Sequence, residues 1–296
     1  MDRREALRVL GLATAAAACG CFHFLAPQAR RKPAFHSESE SDLGEVHAHE
    51  PAKEGKILTP DARAKSVYFD LDFADDIFLS GPERKLAESL LKKLRLAQSK
   101  VGYGNFNILG FDDFLKITAA GAAALTPEEA AFMEKTFHTD AKIYGFQGAK
   151  VFTRLNEAIG ANSVVKIAGT GHYLRKGKST EVYNRIIKDV GSSLVLTSGV
   201  RGLVKQYYLF FEKCLQSGGN LSKASRSLAP PGYSFHGHGD FDIGKRGFGL
   251  SNFTDEFAAT EEYKRLVGLG YAEIRYVEEN QLGVRFEPWH IKVASG

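Results

Sequence analysis

The sequence has few of the residues that build disulfide frameworks or cysteine-based metal sites. Only three of its 296 residues are cysteines. Cys19 and Cys21 lie in an N-terminal apolar stretch, far along the chain from Cys214. Three cysteines placed in this way exclude a disulfide scaffold and a four-cysteine zinc site. A metal ion would therefore have to be held by histidines and carboxylates.

The sequence also lacks any block of five or more basic residues. Thirty-nine Lys and Arg stand against 35 Asp and Glu, which gives a net charge of +4. This balance does not favour a nucleic-acid partner, and none is expected. The content of 44% hydrophobic and 25% charged residues is typical of a globular protein with a buried core.

The N-terminal residues have the pattern of an export signal. Arg3 and Arg4 precede an uncharged, largely apolar run over residues 9–26, and the paired arginines resemble a twin-arginine signal. We expect residues 1–29 to be an export signal, a lipoprotein signal with Cys19 as the lipid site, or a retained membrane anchor. Residues 30–60 are polar and predict a flexible tether. The predicted location is the periplasm or the cell envelope.

Residues 61–160 are predicted to be mostly helical. Residues 82–98 place four leucines on one helical stripe. Thr126 and Pro127 have the residue types of an N-cap and a first helical position, so a second helix is expected to begin there. This region contains no cluster of catalytic residue types, and its sequence does not indicate a role.

Residues 161–296 change to short β-branched runs between glycine-rich turns. Strands are predicted at residues 163–167, 193–197, 271–277 and 283–293, and a helix near residues 180–188. The whole pattern indicates an α+β fold, in which a small antiparallel sheet with flanking helices follows the mostly helical region.

Histidines and aspartates concentrate in residues 230–243. His236, His238, Asp240 and Asp242 lie among glycines and would share one face if the segment were extended. Their nitrogen and oxygen atoms are donors that zinc accepts. All four are therefore candidate ligands.

Glu287–His290 (Glu-Pro-Trp-His) adds one carboxylate and one imidazole near the end of the chain. A catalytic zinc ion needs three protein ligands, an open position and a carboxylate that can take a proton. Pro288 disfavours a helix here, so a bend or bulge must bring Glu287 and His290 to one metal ion.

Three blocks of the sequence resemble the VanY-type zinc D-alanyl-D-alanine carboxypeptidases, which share a superfamily with VanX and the hedgehog domain. The first block is Ser198–Arg201 followed by Gln206, and the second is Ser234–His236 followed by Asp242 and Ile243. The third is Glu287–His290, and the three blocks occur in the order found in the family. The resemblance spans about residues 165–293 and leaves the preceding helical region uncovered.

The resemblance implies roles for seven residues. It makes the zinc ligands His236, Asp242 and His290. It makes Glu287 the general base, Arg201 the cation that stabilises the oxyanion, and Ser234 and Gln206 substrate-binding residues. The spacing from His236 to Asp242 is one residue shorter than in the family, so Asp240 and His238 remain competing ligands. We favour Asp242, because Ile243 then preserves the family's Asp-Ile pair.

The expected activity is hydrolysis of peptidoglycan stem peptides, with D-alanyl-D-alanine carboxypeptidase as the first candidate. An L,D-carboxypeptidase or an endopeptidase is an alternative within the same chemistry. A non-catalytic, metal-bearing module that binds the bacterial cell wall is an alternative of another class. Glu287 and Arg201 count against that module, since binding alone needs neither a base nor an oxyanion partner.

Overall fold

Capping residues begin the helices of the N-terminal half. The computed structural model describes residues 60–119 and 121–293. The side chain of Ser80 caps one long helix and that of Thr126 caps another, and each capping box is completed by a glutamate three residues on. The helices are α1 Pro60–Val67, α2 Gly81–Val101, α3 Tyr103–Phe106, α4 Phe111–Thr118, α5 Pro127–His138, α6 Lys178–Val190, α7 Leu203–Gln216, α8 Leu221–Ser225 and α9 Glu261–Val267.

The strands follow the helical region, as the sequence predicts. They are β1 Val164–Lys166, β2 Tyr173–Arg175, β3 Leu194–Ser198, β4 Phe241–Lys245, β5 Glu273–Tyr276 and β6 Glu287–Lys292. Strands β1 and β2 form an antiparallel pair, and the other four form an antiparallel sheet in the order β3-β4-β6-β5. The predicted α+β class is confirmed.

The sheet has one apolar face and one polar face near its centre. Phe241 and Ile243 of β4, and Trp289 and Ile291 of β6, pack with α6 and α9 in one core cluster. Alternate residues on the same strands point the other way, because side chains alternate along a strand. That second face carries the candidate functional residues.

The helical region packs against α7 in a larger core cluster that runs in sequence from Ala87 to Val284. Within the described residues, all of this belongs to one compact unit. The boundary predicted at residue 160 stays a prediction. The export signal predicted for residues 1–29 and the tether predicted for residues 30–60 also stay predictions, since residues 1–59 lie outside the described part. Over residues 60–119 and 121–293, no helix is both long and apolar enough to cross a membrane.

Candidate active site

Three buried side chains meet on the polar face of the sheet. One ligand atom each from His236, Asp242 and His290 lies within 4.8 Å of the others. Nε2 of His236 is 3.4 Å from Oδ2 of Asp242, and Nδ1 of His290 is 3.4 Å from its Oδ1. These are the three residues that the family resemblance implies as metal ligands.

The strands place two of the three directly. Asp242 and His290 are register partners on β4 and β6. The segment that starts at His236 is not extended throughout, because Phe235–Gly237 forms a 3₁₀ turn and β4 begins only at Phe241. Gly239 has φ of 121° and would bring a Cβ within 2.5 Å of Ser179, so this tight connection requires glycine. The turn leaves His238 exposed and His236 buried.

An irregularity in β6 brings Glu287 beside His290, as the sequence predicts. Ile274 of β5 pairs with Ile291, but Tyr276, two residues on, pairs with Glu287, four residues back. The extra residues of β6 bulge, and Oε2 of Glu287 lies 3.5 Å from Nδ1 of His290. A regular strand would have turned these two side chains to opposite faces.

Hydrogen bonds behind the two histidines orient their rings. Nδ1 of His236 lies 2.8 Å from the carbonyl oxygen of Gly199, and Nε2 of His290 lies 3.1 Å from Oδ2 of Asp240. The opposite nitrogen of each ring therefore faces Asp242. Such outer partners fix the ring orientation of metal-binding histidines.

Both oxygens of Asp240 have hydrogen-bonding partners. It accepts hydrogen bonds from Arg275, whose second contact is 3.2 Å long, and from the backbone N–H of Val293 at 2.8 Å. Burial alone would raise the pKa of Asp240, but His290 and Arg275 hold it well below its usual range. Burial alone would likewise lower the pKa of His290, yet the hydrogen bonds with Asp240 and Glu287 raise it to about 9. Metal binding there would release a proton.

Asp242 lacks a hydrogen bond to one of its two oxygens within the described residues. Its buried Oδ1 accepts no hydrogen bond from the described residues, although Nδ1 of His290 lies 3.4 Å away. A buried carboxylate oxygen left without a partner is costly. Two imidazoles and one carboxylate are a donor set that zinc accepts, so the three residues fit a metal ion on chemical grounds.

Arg201 lies beside this cluster, with its guanidinium 3.7 Å from Oδ2 of Asp242. It donates hydrogen bonds to Oγ of Ser198 at 3.1 Å and to Oε1 of Gln206 at 3.3 Å. Gln206 in turn donates to the carbonyl of Ala229. Gln206 therefore supports Arg201 and is not among the residues that line the cavity described next, and its implied role in substrate binding stays a prediction.

A cavity of about 320 Å³ opens onto the cluster. It is lined by the three clustered residues and by Glu287, Arg201 and Ser234. The lining also includes one stripe of α7, formed by Lys205, Leu209 and Lys213. Tyr103 and Asn107 of the helical region also belong to the lining.

The comparison with protein families bears on this arrangement. Residues 175–295 match the family model described as VanY: D-alanyl-D-alanine carboxypeptidase. These residues are VanY-like. The match covers all seven residues to which the resemblance gave a role, and the predicted resemblance is confirmed.

Solved structures with similar chains carry related names. One is the LdcB LD-carboxypeptidase, with a TM-score of 0.37, 25% identity, and coverage of 44% of this chain and 63% of that chain. A second is the vancomycin resistance D,D-pentapeptidase VanY in complex with Zn(II), with a TM-score of 0.34, 21% identity, and coverage of 46% and 82%. A third is VanYB in complex with D-alanine-D-alanine, with a TM-score of 0.34, 21% identity, and coverage of 45% and 77%. No curated protein matches the sequence.

Several residues that line the cavity were not predicted from the sequence. Lys205 lies four residues after Arg201, and Lys213 lies eight residues after Lys205, so the periodicity of α7 could have placed them on one side. Tyr103 and Asn107 belong to the region that the resemblance leaves uncovered. No pattern in the sequence indicates that these two residues reach the site, because their position depends on how α2 and α3 pack.

Proposed function

We propose that this chain is a zinc-dependent peptidase that hydrolyses peptidoglycan stem peptides, with D-alanyl-D-alanine carboxypeptidase as the preferred activity. The observation that carries the proposal is the buried cluster of His236, Asp242 and His290, with Glu287 beside it, in a segment that matches the VanY family. The names of the similar structures mention both D,D and L,D enzymes. The L,D activity is therefore kept as the second candidate.

The three clustered residues would hold the zinc ion. When bound, zinc supplies a Lewis acid that acidifies water and polarises a carbonyl group. Glu287 lines the cavity within 3.5 Å of His290, so its carboxylate can accept a proton from the attacking water. The same carboxylate can return that proton to the leaving amine. A glutamate at this position serves hydrolysis and is unnecessary for binding alone.

Arg201 supplies a permanent positive charge at the cavity surface. Its hydrogen bonds with Ser198 and Gln206 fix the guanidinium before substrate arrives. A charge fixed in this way stabilises a developing oxyanion without further reorganisation. Ser234 lines the same cavity and offers a hydroxyl that can orient the peptide.

Defined muropeptides provide the test. The purified chain is incubated with a pentapeptide, a tetrapeptide and a cross-linked dimer, with added zinc or with a chelator, and the products are identified by mass spectrometry. We expect chelator-sensitive loss of one terminal D-alanine from the pentapeptide. Loss from the tetrapeptide would indicate the L,D activity, and cleavage of the dimer an endopeptidase. The proposal fails if no substrate is cleaved in a chelator-sensitive way.

We also propose an envelope location, which places the enzyme with its substrate. The support is the signal pattern in residues 1–29. Replacing Arg3 and Arg4 together by lysine tests the twin-arginine route. Cell fractionation should then show the chain retained in the cytoplasm, and an unchanged distribution would exclude that route.

A further inference from the structure

Lys205 is a buried cation in the lining of the cavity. It lies on α7, and only 7% of its surface is exposed. Among residues 60–119 and 121–293, no carboxylate forms an ion pair with its ammonium group. The family resemblance assigns no role to this position.

Aromatic rings surround the ammonium group instead of carboxylates. Nζ lies 5.2 Å from the ring centre of Tyr103, 5.5 Å from that of Phe106 and 4.8 Å from that of Tyr208. Ring faces attract a cation, but they do not replace a negative partner. The acid whose charge acts on Lys205 is Glu212, and Glu212 already accepts hydrogen bonds from Arg95 and Tyr208 at 3.0 Å each.

Arg201 is a second cation near Lys205 in the lining of the cavity. Burial lowers the pKa of Lys205 to about 8, and the charge of Arg201 acts in the same direction. Two neighbouring cations that face one cavity favour an anionic ligand group, because a buried charge is costly until a counter-charge joins it. At neutral pH Lys205 is still mostly protonated.

We propose that Lys205 binds the terminal carboxylate of the peptide substrate and so selects for a free chain end. This inference rests on the proposed function, since only a peptidase that trims chain ends needs such a contact. The terminal carboxylate lies one residue, about 3.5 Å, beyond the carbonyl group that is attacked. The proposed function puts that carbonyl at Arg201, which lies beside Asp242, and Lys205 is the neighbouring cation on the cavity lining.

Lys213 is the competing cation. It lies eight residues further along α7, which is about 12 Å, and it lines the same cavity near Arg285. A carboxylate bound there would put the substrate in the opposite direction. The experiment therefore includes both lysines.

The test compares a peptide acid with its amide. Binding of N-acetyl-D-alanyl-D-alanine and of its C-terminal amide to the full chain with added zinc is measured by calorimetry, with Glu287→Gln added to every chain, the wild type included, so that the ligands are not cleaved. We expect Lys205→Met to lose about 10- to 100-fold in affinity for the acid and to keep the affinity for the amide. Lys205→Arg should retain most of the preference for the acid. Lys188→Met, an exposed lysine of α6 outside the cavity, is the matched control and should bind like the wild type.

Three results would overturn the assignment. They are equal losses for acid and amide in Lys205→Met, no preference for the acid in the wild type, and loss of the preference in Lys213→Met instead. Cleavage is scored separately with the muropeptides. Selective binding of the acid through Lys205 without hydrolysis would leave this site standing and reject the proposed activity. Hydrolysis of the muropeptides, together with an unchanged preference for the acid in Lys205→Met, would support the proposed activity and reject the role of Lys205.

Discussion

The two aspartates beside the clustered histidines differ in how many of their oxygens accept hydrogen bonds. Asp240, on the side away from the cavity, has partners for both oxygens, in Arg275, His290 and the N–H of Val293. Asp242, on the cavity side, keeps one buried oxygen without a hydrogen bond from the described residues. Both side chains are nearly inaccessible, so burial does not explain the difference. The side that supports the site is complete, and the side that faces the cavity is left to be completed by a ligand.

Removing Asp242 should have the largest effect on metal binding. Asp242→Ala takes away one of the three proposed ligands and leaves the two imidazoles alone. We expect its zinc affinity, measured by competition with a chelating dye, to fall by more than the roughly 100-fold typical of an outer hydrogen-bonding partner. If Asp242→Ala kept full zinc while Asp240→Ala or His238→Ala lost it, the ligand assignment would be wrong.

Glu287→Gln should separate catalysis from metal binding. The amide keeps the size of the side chain but cannot accept the proton, so turnover of the pentapeptide should fall by about 100- to 10,000-fold. Zinc content should stay at the wild-type level, since Glu287 lies beside the three proposed ligands and is not among them. Wild-type turnover in this variant would remove Glu287 from the mechanism. Equal binding of cell-wall fragments, with no hydrolysis by either protein, would favour the non-catalytic module.

Asp240→Asn should lower the zinc affinity less than Asp242→Ala does. Its amide keeps the shape of the side chain but weakens the hydrogen bond to His290 and the pairing with Arg275. We expect zinc affinity to fall by about 10- to 100-fold, with full loading at high zinc concentration. His238→Ala is the matched control, because His238 is exposed in the same segment and should leave zinc affinity unchanged.

The sequence was sufficient to predict the parts of the fold that depend on local signals. Ser80 and Thr126 cap helices, and the bulge near Pro288 follows from the need to bring Glu287 and His290 together. The separate roles of Asp240 and Asp242 were harder to predict from the sequence. They depend on the 3₁₀ turn at Phe235–Gly237, which breaks the alternation expected of an extended segment.

Contacts between distant segments could not be read from the sequence. Arg275 pairs with Asp240 across 35 positions, and Lys205 becomes buried only when α3 packs against α7. Arg275 has no neighbour in sequence that marks it as part of a site, and the nearness of Lys205 to Arg201 and Gln206 in sequence does not indicate the aromatic rings that enclose it. The helical region thus contributes to the cavity through packing, and its own motifs give no sign of this.

Tyr103 offers the mildest test of that contribution. Its ring is half exposed at the cavity, 5.2 Å from Nζ of Lys205 and in edge contact with His172. Tyr103→Ala removes one ring face from the lysine, and a single cation–π contact at such a site is worth about 0.5–1 kcal/mol. The KM for the pentapeptide should therefore rise by about 2- to 5-fold, with kcat and zinc content unchanged. Tyr103→Phe keeps the ring and should match the wild type. A loss of zinc in Tyr103→Ala would instead show that the helical region supports the metal cluster itself.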